Sequence, residues 1–275
     1  MNTQKLVSAF FVLATLTLTA CDNEIHENDR FIPVEKKVAK RAVLIEDFTA
    51  QRCVNCPDAT DEIERLQEQY GKENVIAVGI HSGDLAKELK DGKLVPLPLW
   101  TETGQEYYNA QSIVNFGQPT VIINRVDGWG LAPGKWSDVV GKMLETESPV
   151  TINIVNRYND RMKTATINIE IMSNETFQNK HLQVWLVEDK VKGLQEMKNN
   201  VKKNDYIHNH VFRTAVNGTW GEAVHIEKGV ATKTNHQLTL KEDWKVEDLS
   251  VVAFVYDKDE EVGVLQVAKK TLANF

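Results

Sequence analysis

The first part of the chain alternates between short apolar runs and amphipathic segments. Apolar, β-branched runs predict strands at residues 42–48, 74–82 and 117–125. Each run is followed by a segment with helical spacing, at residues 58–71, 100–114 and 133–146. Three repeats of a strand followed by a helix are typical of an α/β layer structure, which we predict for residues 41–148.

The hydrophobic period changes to two at Pro149. From there on, apolar and polar residues alternate over short segments, which turn-rich breaks separate. Strands are predicted at residues 151–158, 164–171, 182–189, 223–229, 236–240, 249–257 and 262–270. This succession of short strands favours an all-β, immunoglobulin-like sandwich for residues 149–275. No cysteine follows Cys56, so no disulfide would brace that sandwich.

The N-terminal residues have the layout of an export signal. Lys5 precedes an apolar run that ends at Ala20 and is too short to span a bilayer as a stable helix. The run leads into the sequence LTAC, which resembles a bacterial lipobox and predicts cleavage before Cys21, with lipid on its thiol. We therefore expect a lipoprotein signal peptide at residues 1–20 and a lipidated tether at residues 21–40. Acyl chains on the tether would hold the protein on a membrane.

The charge of the chain limits the class of partner. The formal charge is −7, and loss of residues 1–20 removes only Lys5, which leaves −8. An acidic chain without a basic patch argues against nucleic acid and against binding of anionic lipid by charge. We expect a protein or peptide partner in the envelope or at the surface, and no cofactor.

Two of the three cysteines, Cys53 and Cys56, stand three positions apart, directly before a predicted helix. This spacing is typical of a redox couple, of half a metal site, or of a structural disulfide that stiffens a loop. Zinc as a rule needs four ligands, and the chain has no second pair with this spacing, so no metal site is predicted. The redox and structural interpretations stay open on this evidence.

The residues around the pair resemble a thioredoxin fold. Asp47 and Phe48 end the first predicted strand, at the offset where thioredoxins carry an acidic and an aromatic residue. The sequence GQPT at residues 117–120 opens a later strand, where thioredoxin folds place a cis-proline beside the cysteines.

This resemblance implies a role for each residue. Cys53 would be the nucleophile, Cys56 the resolving thiol and Asp47 the acceptor of its proton. Pro119 would be cis and would contact the substrate backbone together with Gln118.

The sequence departs from the thioredoxin pattern at two positions. Arg52 stands where thioredoxins have tryptophan, and we take it as a candidate substrate-binding residue whose charge would also lower a thiolate pKa. Pro57 directly after the pair suits the first turn of a helix. A helix that begins there would leave Cys53 outside the best reach of the helix dipole.

The whole chain resembles Bacteroidetes outer-membrane lipoproteins of the Omp28 type. The resemblance rests on the lipobox, on FTAQRCVNCPDA, and on DYIHNHVFR with the later Trp220-Gly221. It implies a thioredoxin-like domain joined to a C-terminal β-domain, exported and lipid-anchored to the outer membrane, facing the periplasm or the surface. It implies location rather than a defined activity.

His208 and His210 form a further motif with Asn209 between them. Alternate residues of a strand face the same side, so two imidazoles could share a metal ion. We favour a polar segment near the domain junction.

Two functions remain in view. One is thiol–disulfide exchange on envelope or surface proteins. The other is a non-enzymatic, adhesin-like binding protein in which the C-x-x-C forms a structural disulfide. In that case the β-domain would present the partner site, with tryptophans such as Trp185, Trp220 or Trp244 as contacts.

Overall fold

The computed structural model describes residues 39–258 and 263–273. The predicted signal peptide, the lipid site at Cys21 and the tether up to residue 38 lie outside the described residues. The described part of the chain has three α-helices, at Cys56–Tyr70 (α1), Glu102–Ala110 (α2) and Trp136–Leu144 (α3).

Strands make up most of the regular structure. In the described residues they are Ala39–Lys40 (β1), Val43–Thr49 (β2), Val75–His81 (β3), Lys87–Lys90 (β4), Lys93–Pro96 (β5), Thr120–Ile123 (β6), Glu147–Ser148 (β7), Val150–Asn159 (β8), Thr164–Ser173 (β9), Phe177–Glu188 (β10), Val191–Met197 (β11), Val201–His208 (β12), Val211–Ala215 (β13), Glu222–Ile226 (β14), Thr232–Thr239 (β15), Leu249–Tyr256 (β16) and Val264–Thr271 (β17).

These strands form one large sheet and several small ones. The large sheet has eight strands in the order β17-β16-β10-β13-β3-β2-β6, with β14 also paired to β10. A three-stranded sheet has the order β15-β9-β8, and the pairs β1-β7, β4-β5 and β11-β12 stand alone. Within the large sheet β2 and β3 are parallel, and β6 is antiparallel to β2.

The local predictions are confirmed element by element. The first three predicted strands are β2, β3 and β6, and the three predicted helices are α1, α2 and α3. The seven strands predicted after Pro149 are β8, β9, β10, β14, β15, β16 and β17. The structure adds β11, β12 and β13 between them, as well as the short strands β1, β4, β5 and β7.

The predicted fold class, an α/β thioredoxin-like domain followed by an immunoglobulin-like sandwich, is wrong. The protein is β-rich, and its largest sheet joins strands from both predicted halves. The junction is a parallel pairing of β13 with β3, where Val211 lies opposite Gly79. A hydrophobic period identifies strands without saying which of them pair, and the predicted strands do not include β13. The proposed domain limits at residues 148 and 149 stay a prediction.

Strands β2 and β3 lie between two apolar layers, because successive side chains of a strand point to opposite faces. Val43 and Ile45 pack with residues of α1 and α3. Leu44 and Phe48 pack on the other face, in a cluster that includes Trp185 from β10. The same alternation places Asp47 on the α1 side of the sheet, facing the helix that begins at the second cysteine of the pair.

The candidate contact tryptophans differ in exposure. Trp185 and Trp244 are buried in apolar clusters, so they are not available to a partner, whereas Trp220 is half-buried. No helix among the described residues has the length and apolar character needed to cross a bilayer.

Candidate disulfide site

Cys53 and Cys56 are joined by a disulfide at the N-terminus of α1. The segment between β2 and the helix turns tightly, since the amide of Cys53 donates to the carbonyl of Ala50 and the amide of Cys56 donates to that of Cys53. Helix α1 begins at Cys56, with Pro57 in its first turn. Cys53 thus lies three residues before the helix, and the stabilisation that a helix N-terminus gives a thiolate weakens there. The helix thus begins one residue before Pro57, where the sequence analysis considered its start, and the effect on a Cys53 thiolate stays a prediction.

The β11–β12 hairpin lies over this segment. Gln195 donates from Nε2 to the carbonyl of Cys53 at 2.9 Å, and the amide of Glu196 donates to the carbonyl of Gln51 at 2.8 Å. In return, Nε2 of Gln51 donates to the carbonyl of Leu194 at 3.1 Å. As a result, both cysteines are only 2% exposed.

Charged side chains strengthen the contact between hairpin and loop. Nε of Arg52 lies 3.6 Å from Oε1 of Glu196, and its Nη1 donates to the carbonyl of Lys87 at 2.9 Å. Lys198 at the end of the hairpin forms an ion pair with Asp58 in the first turn of α1. Arg52 is therefore engaged with the hairpin and the neighbouring loop.

The hairpin was not predicted, and its sequence explains why. Most residues of β12 are exposed, so no apolar residue marks every second position. One signal was present: Asn199 and Asn200 stand side by side, and both have positive φ, at 60° and 58°. Asparagine tolerates this conformation better than most residues and is favoured in tight hairpin turns.

Pro119 lies in a loop at the ends of β2 and β3. Its peptide bond with Gln118 is cis, as the resemblance to thioredoxin implies. The Nε2 of Gln118 donates to the carbonyls of Thr49, at 2.8 Å, and Ser82, at 3.2 Å. Thr120 pairs with Phe48 in the sheet. The loop is thus fixed beside the strand that leads to the cysteines, while the side chain of Gln118 is occupied within the protein.

Asp47 is buried behind the disulfide. Its side chain is 1% exposed, and its Oδ1 has no hydrogen-bond partner among the described residues. Burial raises the pKa of this carboxyl from its ordinary value of 3.8 to about 7. The carboxyl can therefore gain and lose a proton near neutral pH.

A small cavity of about 20 Å³ connects Asp47 with the disulfide and with three histidines. Asp47 and Cys56 line one part of it, and His81, His208 and His210 line another. His208 and His210, which flank Asn209 in the second half of the chain, therefore contribute to the site. Sequence reasoning placed them near the junction but not beside the cysteines.

The three histidines are held neutral by burial. The rings of His81 and His208 meet edge to face at 5.1 Å, and Nε2 of His208 lies 3.2 Å from the carbonyl of Leu194. Burial lowers the pKa of His208 and of His210 to about 4 and that of His81 well below its usual range. No group of three or more His, Cys, Asp or Glu side chains within residues 39–258 and 263–273 is arranged to hold a metal ion.

The family of the chain is shown by comparison with known proteins. The model of the family described as outer membrane protein Omp28 matches residues 105–274. The chain belongs to the Omp28 family. The resemblance seen in the sequence is confirmed, and with it the location of the protein at the outer membrane. The matched region begins after the disulfide, so membership in the Omp28 family says nothing about the role of Cys53 and Cys56.

Two solved structures are similar to this Omp28 family member. HBP35 of Porphyromonas gingivalis has a TM-score of 0.64 at 16% identity, over 85% of this chain and 76% of that one, which shows a shared fold. A domain of the outer membrane lipoprotein Omp28 from Porphyromonas gingivalis is 24% identical over 46% of this chain and 88% of that domain, with a TM-score of 0.34. No curated protein matches the chain.

Proposed function

We propose that this outer-membrane lipoprotein performs thiol–disulfide exchange on proteins of the envelope or the cell surface. Cys53 is the sulfur that a partner meets, Cys56 is the resolving thiol, and Asp47 exchanges a proton with Cys56. Pro119 and the backbone of Gln118 contact the partner chain, and lipid on Cys21 keeps the reaction at the membrane.

The observation that carries this proposal is the buried carboxyl of Asp47 in the same cavity as Cys56. A disulfide that only stiffens a loop needs no proton donor or acceptor. A buried carboxyl without a hydrogen bond at one of its oxygens destabilises the folded state. Strongly shifted titratable groups of this kind concentrate at functional sites.

The exchange step follows from the positions of these groups. A thiolate of the partner attacks Sγ of Cys53, the Cys53–Cys56 bond breaks, and Cys56 leaves as a thiolate that takes the proton of Asp47. The second thiol of the partner, as thiolate, then attacks its own sulfur in the mixed disulfide and releases Cys53. Two electrons pass from the partner dithiol to the cysteine pair, and the reverse sequence oxidises the pair.

The β11–β12 hairpin has to move for this reaction. Attack on Cys53 requires an approach to its sulfur, and Gln195 lies across it with a hydrogen bond to the carbonyl of the same residue. Displacement of the hairpin also separates Glu196 from Arg52. The freed guanidinium would then be available to stabilise a thiolate at the neighbouring Cys53 in the reduced protein.

The burial of Cys53 favours a second candidate function. With a sulfur that a partner cannot reach, the protein would be a non-enzymatic binding protein, and the disulfide would brace the loop on which the hairpin rests. A structural disulfide of this kind resists reduction, with a potential below about −300 mV.

One set of measurements separates the two functions. The full-length protein in detergent is titrated against glutathione or dithiothreitol buffers and assayed for reduction of insulin disulfides. Exchange predicts a potential above about −300 mV and turnover that Cys53→Ser abolishes. A potential far below this value, together with no turnover, would leave the structural function.

A further inference from the structure

Several exposed apolar side chains belong to one hairpin near the disulfide. Strands β4 and β5 pair only with each other and form a two-stranded sheet of their own. Leu89 is 68% exposed and Leu94 is 47% exposed. Val95, and Leu85 just before the hairpin, are exposed as well. Single apolar residues are ordinary on a protein surface, but a group of them on one element indicates an interaction surface.

The pairing of the two strands separates apolar from charged side chains. Leu89 lies opposite Leu94, so both side chains point to the same face. One step nearer the turn, Lys90 lies opposite Lys93 on the other face, and like charges in this position destabilise a hairpin. Lys90 is paired with Glu88 at 2.6 Å, whereas Lys93 forms no ion pair within the described residues. The hairpin therefore presents an apolar pair beside a cation without a counter-charge.

The base of the hairpin is fixed to the loop that carries the cysteines. The amide of Arg52 donates to the carbonyl of Leu85 at 3.1 Å. Ala86 is buried against the two cysteines. Beyond this base, residues 89–96 are all exposed. Whatever the hairpin binds is therefore brought close to the disulfide.

The size of the hairpin favours a lipid surface over a protein partner. Stable protein interfaces take about 800 Å² and roughly 20–30 residues from each partner, whereas residues 89–96 are a far smaller surface. A bilayer accepts small elements, because apolar side chains enter the headgroup region while lysine stems extend and keep their charge at the interface. Lipid phosphates would also supply the counter-charge that the opposed lysines lack.

The location of the protein provides such a surface. The chain belongs to a family of outer-membrane proteins. A protein held at a bilayer meets lipid at a high effective concentration, so a few apolar contacts are enough for insertion. Insertion of this kind depends on apolar side chains rather than on net charge, and the acidic charge of the chain does not oppose it.

We propose that the β4–β5 hairpin inserts Leu89 and Leu94 into the surface of a phospholipid bilayer, with Lys90 and Lys93 at the phosphates. Insertion goes beyond the proposed function and does not depend on it. Because the base of the hairpin holds the loop of the cysteine pair, insertion also keeps that loop near the membrane. The partners for thiol–disulfide exchange would then be proteins at the bilayer surface, and this consequence does rest on the proposed function.

A tryptophan at position 89 reports contact with lipid. The full-length protein is reconstituted into vesicles of phosphatidylethanolamine and phosphatidylglycerol, with or without bromine on the acyl chains near the headgroups, since bromine quenches tryptophan on contact. Met162→Trp is the matched control, because Met162 is 66% exposed in the turn between β8 and β9. After subtraction of the emission of the natural protein, bromine should quench the added tryptophan about twofold or more in Leu89→Trp and leave Met162→Trp unchanged.

Leu94→Ser tests the apolar pair itself. Tryptophan has its own affinity for the membrane interface, so Leu94→Ser is made in the Leu89→Trp protein, where it should reduce the quenching. Val230→Ser is the control, since Val230 is an apolar residue of similar exposure, 50%, before β15. This substitution should leave the quenching of Leu89→Trp as it was.

Three outcomes would overturn the proposal. The first is equal quenching in Leu89→Trp and Met162→Trp. The second is a blue-shifted emission of Leu89→Trp that bromine does not quench, which would mean that a second copy or another protein covers the hairpin. The third is quenching that Leu94→Ser does not reduce. The insulin assay stays independent: a natural protein without turnover would keep the inserted hairpin, and a hairpin that stays in water would leave the exchange activity in place.

Discussion

Asp47 shows how the burial of a single titratable residue lowers the stability of this protein. An unfolded chain ionises this carboxyl above pH 3.8, whereas the folded protein does so only above about 7. Between these values the folded state holds a proton that the unfolded state has lost. The free energy of unfolding therefore falls as the pH rises from 3.8 to about 7.

We expect Asp47→Asn to stabilise the protein and to impair its chemistry. The neutral amide avoids the ionisation penalty, so the gain in free energy of unfolding should grow from near zero at pH 4 to at most about 4 kcal/mol at pH 8. Urea unfolding at both pH values measures it, with the exposed Asp243→Asn as the control. A variant no more stable at pH 8 than at pH 4, relative to the natural protein, would contradict the burial argument.

The buried histidines act in the opposite direction. Unfolded histidine takes up a proton below pH 6.5, but His208 in the folded protein does so only below about 4. Stability is thus lost as the pH falls from 6.5 to 4. We expect His208→Gln to reduce this acid loss by about 3 kcal/mol, measured by thermal or urea unfolding across that range. The exposed His225→Gln should leave the loss unchanged, and an equal effect of the two substitutions would refute the assignment.

The residues of the site differ in how far sequence predicts them. Cys53, Cys56 and Asp47 lie within ten positions of one another, so one local motif contains all three. The cis bond before Pro119 was predicted from the separate sequence GQPT at residues 117–120, through the resemblance to thioredoxin. The geometry around Gln195 could not be predicted this way. Gln195 contacts Cys53 although 142 positions separate the two residues in sequence, and no local pattern connects them.

At the scale of elements, the β11–β12 hairpin covers the segment that carries the disulfide. It stands outside the large sheet and contacts the loop through a few hydrogen bonds and ion pairs. Segments held by few apolar contacts are the ones that open at low free energy. The hairpin is thus the element whose opening would limit access to Cys53.

We expect Gln195→Ala to expose the disulfide. The substitution removes the hydrogen bond to the carbonyl of Cys53, which is worth about 1 kcal/mol, so the open form should become roughly fivefold more populated. Reduction by glutathione should accelerate by a similar factor while the urea midpoint changes little. Gln237→Ala on the exposed strand β15 serves as the control. An unchanged rate in Gln195→Ala would mean that the hairpin does not limit access.

Elements with a regular apolar period were predictable, and this hairpin was not. Helix α1 buries Ala59, Ile63 and Leu66 on one face, and strands β2 and β3 are mostly apolar and buried throughout. Strand β12 instead lies mostly in solvent, so burial does not shape its sequence. Only Asn199 and Asn200 at the turn indicated that a hairpin forms here.

At the scale of the whole molecule, a buried ion pair ties the two halves of the chain together. Arg125 after β6 pairs with Glu46 on β2 at 3.0 Å, with both side chains buried. The guanidinium also lies 4.4 Å from the ring centre of Tyr256 and 4.9 Å from that of Phe254, both on β16. One cation thus contacts strands from both predicted domains, which adds to the continuity of the large sheet.

Removal of this cation should weaken the whole protein. We expect Arg125→Ala to lower the free energy of unfolding by about 3–5 kcal/mol, because Glu46 would remain as a buried, unpaired charge. Urea unfolding followed by tryptophan fluorescence and by circular dichroism measures this loss. Arg65→Ala, in an exposed pair with Glu62, should lower the free energy of unfolding far less, because solvent screens that pair. Comparable losses in both variants would show that burial does not set the strength of the Arg125 pair.

The position of the hairpin along the chain has a consequence for how the protein matures. With the N-terminal export signal that the sequence predicts, Cys53 and Cys56 would enter the oxidising envelope well before residues 191–208. During that interval the thiols are open to the oxidants that act on newly secreted chains. The Cys53–Cys56 disulfide would therefore form before the β11–β12 hairpin folds over it.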